Sequence, residues 1–198
     1  METMEKNKTK LTTKDIITSV LLGVLANVLY FASALTLLLP PPLNALNIPL
    51  KIFLISFVFM AVCMKVPKTG SVLIFFTVIG IRAMYLPYFL ALIVCGIIGE
   101  ILVYGTRHFK MAFTVIAFLL YAAIGEILIS SLYPMYLAIH SAEYSLEMMN
   151  GMTREQLQYW FTAPGLATMF LPGITGALIG GVLAYKVIQK RIDGNLNS

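Results

Sequence analysis

The sequence predicts an all-α integral membrane protein, a bundle of six transmembrane helices with both termini on the cytoplasmic side. Three observations carry that prediction. Of 198 residues, 59% are apolar and only 12% are charged, with a mean hydropathy of +0.87, whereas a soluble domain holds about 25% charged and about 45–50% apolar residues. The charges fall in short clusters between long apolar stretches, as membrane topology requires. Most of those stretches approach the length of about 20 residues that crosses a bilayer core. A soluble enzyme, a disulfide scaffold and a disordered tail are excluded. The formal charge of +5 belongs to the flanks of the spans, so no nucleic-acid partner is expected.

The first span is read from Ile16 to Leu39 and stops at Pro40-Pro41-Pro42. Thr12 and Asp15 form a capping box that starts the helix. Lys6, Lys8, Lys10 and Lys14 precede the run and no small-residue cleavage site follows, so a signal peptide is not expected. The second span runs from Ile48 to Val66 and ends at Pro67-Lys68-Thr69-Gly70. A short third span covers Ser71 to Tyr85, and Pro87 separates it from a fourth, Tyr88 to Tyr104. The fifth runs from Met111 to about Leu132 and the sixth from Gly165 to Ile188. The whole chain, 1–198, is one transmembrane domain, with a cytoplasmic segment 1–13 and a cytoplasmic tail 189–198.

Orientation follows from the lysines and arginines. One side receives Lys6, Lys8, Lys10, Lys14, Lys65, Lys68, Arg107, Lys110, Lys186, Lys190 and Arg191; the other receives Lys51, Arg82 and Arg154. The first set predicts the cytoplasmic side. Between spans five and six, Thr153 and Gln156 form a second capping box, and Leu157, Trp160 and Phe161 then share a face, which predicts a short interfacial helix.

Several catalytic patterns are missing from the sequence: a Walker A loop, a His-Glu-x-x-His helix and a Gly-x-Ser-x-Gly elbow. Cys63 and Cys95 lie inside separate apolar runs and read as small packing residues. His108 and His140 are predicted on opposite sides of the membrane. No catalysis, metal or cofactor is expected.

Glu100 and Glu126 are the acidic residues inside spans, each in a Gly-Glu-Ile-Leu tetrapeptide. Charges inside a membrane are costly and mark functional sites by default. Glu126 lies roughly 24 Å along the fifth helix and Arg82 roughly 18 Å along the third from Gly70, a similar depth. An Arg82–Glu126 pair follows, either as a structural ion pair or facing a ligand. Glu100 is near a cytoplasmic end and is expected to snorkel toward water.

In the sixth span, Gly173, Ala177 and Gly181 recur every four residues, as do Gly176, Gly180 and Ala184, and such rows permit close helix approach. Intramolecular packing and a subunit interface both use such rows. Ser19, Gly23 and Asn27 form a weaker row on the first span. On the outer side, Tyr85, Tyr88, Tyr133, Tyr136, Tyr144 and Trp160, with His140, Glu147, Asn44 and Asn47, could cap an outward-opening pocket. An aromatic belt at headgroup level explains several of them equally well.

Several features together carry a family resemblance. They are Lys10-Leu11-Thr12-Thr13-Lys14-Asp15 before the first span, the basic turn before Gly70, the Tyr-rich stretch after span five, and the glycine-rich last span with its basic tail. The chain resembles the Trep_Strep group of substrate-binding S components of energy-coupling factor (ECF) transporters. The resemblance implies a plasma-membrane subunit that captures a vitamin or related micronutrient from outside. Its implied partners are a transmembrane coupling subunit and two cytoplasmic ATPases, which supply the energy. It also implies that the loop 40–47 closes over substrate, and that the region of about Tyr136 to Trp160 lines the site. On family grounds the Ser19, Gly23 and Asn27 row takes the place of an Ala-x-x-x-Ala row that meets the coupling subunit.

The expected substrate contacts are therefore Asn44, Asn47, Arg82, Glu126, Tyr136, His140, Tyr144, Glu147 and Trp160. Two other functions fit the same composition: a secondary transporter relaying protons through the intramembrane carboxylates, and a membrane scaffold using the small-residue rows.

Overall fold

A computed structural model describes residues 10–38, 46–82, 86–104, 111–140 and 153–196. The described residues are almost wholly helical. Among the described residues, five helices are long and apolar enough to cross a membrane: α1 (Thr13–Ala34), α2 (Asn47–Lys65), α4 (Leu86–Tyr104), α5 (Met111–His140) and α7 (Ala163–Leu196, apolar through Lys190). Between them lie the shorter α3 (Ser71–Ile81) and α6 (Arg154–Tyr159). At 1.5 Å per residue the 11 residues of α3 rise about 16 Å, half a bilayer core. The described helix of the predicted third span is therefore shorter than a full crossing. It stays within the bundle because Ser71, Val72, Phe75, Phe76, Ile79 and Gly80 are all buried against neighbouring helices.

Both predicted capping boxes are present. Thr12 N–H donates to Asp15 Oδ2 at 2.8 Å while Asp15 N–H donates to Thr12 Oγ1 at 3.3 Å. Thr153 and Gln156 repeat the exchange at the start of α6. α1 tightens into a 3₁₀ turn over Leu35–Leu38. The last helix starts at Ala163 and continues to Leu196, so most of the predicted tail is helical.

α5 departs most from expectation. It is α-helical to Leu120, π-wound from Tyr121 to Leu132, and α-helical again from Tyr133 to His140. Pro134 supplies the local reason. Its ring has no N–H and would strike the carbonyl four residues back in an α-helix. Tyr133 N–H instead bonds Leu128 O, five residues back, and the wider winding carries the helix past the proline.

Lipid offers no hydrophobic drive between helices, so close packing and polar contacts hold them together. A Cβ on Gly176 would lie 2.6 Å from Pro49 O, and one on Gly180 would lie 2.8 Å from Phe53 O and collide with Ser56 Oγ. A Cβ on Gly173 would meet Ile127 and Ile52, at 3.0 and 3.1 Å. Ala177 and Ala184 are buried, and Gly181 faces Val115. Both rows on α7 are thus spent within the chain, against α2 and α5. At the bundle centre Phe59, Phe75, Phe76, Phe118 and Tyr121 form a ring cluster with neighbouring centroids 5.0–5.6 Å apart. Leu21, Val28, Phe31, Ile101 and Leu171 point outward, as lipid-facing side chains do.

The basic turn is tied down at one end of the bundle. Lys68 Nζ sits 2.6 Å from Asp15 Oδ2, and Gly70 adopts φ 103°, a left-handed conformation that favours glycine. Glu100 does not snorkel. Its carboxylate accepts from Gly70 N–H and from Leu73 N–H, the latter at 3.0 Å, and so caps the N-terminus of α3. Those amides would otherwise lack partners in the membrane.

Candidate functional site

Glu126 sits at the middle of the π-wound segment and is wholly buried. In that winding, residues five apart share a face, so the Tyr121 hydroxyl reaches Glu126 Oε1. Gly125 leaves room for α4, since a Cβ there would lie 2.8 Å from Leu92 Cδ2. From the start of α4, the Tyr88 hydroxyl donates to the same Oε1 at 2.6 Å. From the end of α3, Arg82 Nη2 pairs with Oε1 and also donates to Tyr88. From α2, Lys51 Nζ lies 3.1 Å from Oε2.

α1 completes the node. The Tyr30 ring covers the Arg82 guanidinium, 3.6 Å from ring centroid to Cζ, and stands 5.1 Å from Lys51 Nζ. Asn27 donates to Val78 O at 3.0 Å and holds its Oδ1 3.5 Å from Arg82 Nη1. Five helices thus converge on one carboxylate, with the Lys51 and Arg82 side chains only 6% and 5% exposed.

The node lies toward the predicted outer ends of α2, α3 and α4: Lys51 is five residues into α2, Arg82 follows α3, and Tyr88 is the third residue of α4. Phe59, Phe75, Phe76 and Phe118 lie six to eight residues along their helices toward the basic end. The ring cluster floors the node on that side and touches it through Tyr121.

The expected Arg82–Glu126 pair is therefore formed, and Lys51 joins it on the other carboxylate oxygen. Other expected contacts lie elsewhere. Asn47 is the first residue of α2 and donates to Ser33 O at 2.9 Å and to Thr36 Oγ1 at 3.3 Å, tying the α1 and α2 ends together. Tyr136 and His140 are exposed and stack on each other at 4.3 Å, one turn apart on α5. Trp160 packs against the buried cluster of Ile127, Leu132 and Met169. Leu157 is buried against Ala138 and Ile139, and Arg154 Nη2 donates to Ile139 O at 2.7 Å, so α6 folds back on the end of α5. Asn44, Tyr85, Tyr144 and Glu147 lie outside the described residues.

The Ser19, Gly23 and Asn27 row packs within the chain. Ser19 and Gly23 are buried, a Cβ on Gly23 would lie 2.8 Å from Val78, and Asn27 bonds the same residue's carbonyl. The row seats α3.

A family described as "Hypothetical bacterial integral membrane protein (Trep_Strep)" matches residues 13–192. No curated protein and no solved structure matches the chain.

Proposed function

The chain belongs to the Trep_Strep family of bacterial integral membrane proteins, and from that premise we propose that it is the substrate-binding subunit of an ECF-type importer. It captures a vitamin or related micronutrient from outside, and a coupling subunit with two ATPases drives uptake. The observation that carries this reading is the polar node itself. Five helices bury three charged side chains in the predicted outer half of a membrane domain, above a floor of packed rings. Intramembrane charges are rare, costly and functional by default. Sites for small molecules set a few convergent polar groups among apolar side chains, as the node does. Binding orders the outer segments and reduces access from outside, while energy arrives from other chains.

The other two functions draw less support. A proton relay needs carboxylates free to exchange protons, whereas Glu126 is held by two cations and two hydroxyls and Glu100 by two backbone amides. A scaffold built on the small-residue rows needs them outward, and they face α2, α3 and α5.

Deleting the gene and profiling the spent medium tests the reading. One small molecule should cease to be depleted, and inactivating the ATPases of the coupling module should give the same defect. Depletion unchanged by the deletion, or insensitive to those ATPases, would contradict it.

A further inference from the structure

We propose that the node receives the carboxylate of a small organic monoanion. The importer reading supplies only the idea that the node binds cargo; the sign of the cargo comes from the charge balance. Lys51 and Arg82 bring two positive charges and Glu126 one negative, all at most 6% exposed. Among the described residues, the acidic groups inside α1 and α4 are spent elsewhere. Glu100 caps α3 and Asp15 pairs with Lys68. Among the described residues, one positive charge of the node is left uncompensated inside the membrane, where uncompensated charge is costly.

Donor capacity is left over as well. Arg82 concentrates its bonds on Nη2, and among the described residues Nη1 reaches only Asn27 Oδ1, at 3.5 Å. Lys51 Nζ faces Glu126 Oε2 at 3.1 Å, yet that oxygen accepts no directed hydrogen bond. An ammonium carries three donors and a guanidinium five. A ligand carboxylate between Lys51 and Arg82 uses these donors and brings the node to neutrality. A phosphate monoester, at about −1.5 to −2, overshoots it. A neutral amide leaves the excess in place, and a cation adds to it.

Two measurements on the purified full chain in detergent test this. The first needs no ligand. Lys51→Met removes the excess charge, so the ligand-free variant should unfold at the wild-type temperature or above it. A structural role for Lys51 instead predicts a drop of roughly 10 °C, which would overturn the proposal.

The second probes wild-type and Lys51→Met protein with the small molecules of yeast extract, split at pH 7 into anion-exchange-retained and flow-through fractions. The retained fraction should raise the wild-type unfolding temperature. The effect should vanish once carboxylates are converted to amides with carbodiimide and ammonia, survive alkaline phosphatase, and weaken at least about tenfold in apparent affinity in Lys51→Met. Stabilisation from the flow-through, a phosphatase-sensitive effect, or no effect from either fraction would overturn it. The importer reading fails by a different result, uptake that ignores the ATPases, so the two failures are distinguishable.

Discussion

Glu126→Gln is the perturbation whose size the structure fixes best. The substitution is nearly isosteric and leaves the Tyr88 and Tyr121 hydroxyls a carbonyl to bond, so packing and neutral hydrogen bonds change little. What it removes is the one counter-charge that the described residues bring to two cations whose side chains are 6% and 5% exposed. Breaking a buried ion pair by deleting one partner costs about 3–5 kcal/mol, because the other charge stays buried without compensation. For a chain of this length, each kcal/mol moves the unfolding midpoint by about 2–4 °C. The expected fall is therefore roughly 6–20 °C, read by thermal unfolding in a mild detergent. Leu128→Ala, two residues away and lipid-facing, is the control and should move the midpoint little. Replacing all three charged groups together, as Lys51→Met, Arg82→Gln and Glu126→Gln, should recover part of the loss. A Glu126→Gln midpoint within about 2 °C of wild type would refute the reasoning, because the cations would then have another counter-charge.

Further outcomes follow from the packing. Gly180→Ala should destabilise by about 1–3 kcal/mol or abolish folding, since its Cβ meets a backbone carbonyl that cannot move aside. Gly181→Ala, whose Cβ would lie 3.3 Å from a Val115 methyl, should be tolerated. The two midpoints compared in one detergent check the pair. Glu100→Ala should cost about 1–3 kcal/mol by freeing buried amides, and hydrogen exchange over residues 70–74 should accelerate while α7 is unaffected. Asp15→Asn should move the midpoint little, because its ion pair with Lys68 is partly exposed and the capping box keeps an acceptor; salt titration of the wild-type midpoint gives an independent measure of that pair.

How far the sequence discloses the site depends on which interactions are local. The two capping boxes lie within three residues, and both are legible. The Arg82–Glu126 pair is legible from depth alone, because each helix rises by a known step and both residues stop at one level. Tyr121 is not, since its approach to Glu126 needs a five-residue repeat that a 3.6-residue period does not contain. Pro134 is the residue that betrays the change of winding. Tyr88 carries an aromatic-belt signature and shows its second role only once α4 is placed beside α5. Lys51 sits four residues inside an apolar run and reads as a charge near the start of its span; its pairing with Glu126 shows only in the folded bundle. Glu100 reads as a snorkelling side chain because the amides it caps are about 30 residues away in sequence. The small-residue rows announce close approach but not its partner, so Ser19, Gly23 and Asn27 look outward in sequence and turn out to seat α3.

The most direct test of the central claim is affinity purification from native membranes in a mild detergent, with mass spectrometry of what comes with the chain. The account predicts one transmembrane coupling subunit, two ATPases and a bound organic acid. Recovery of the chain alone and ligand-free, under conditions that keep a known ECF complex intact, would contradict it.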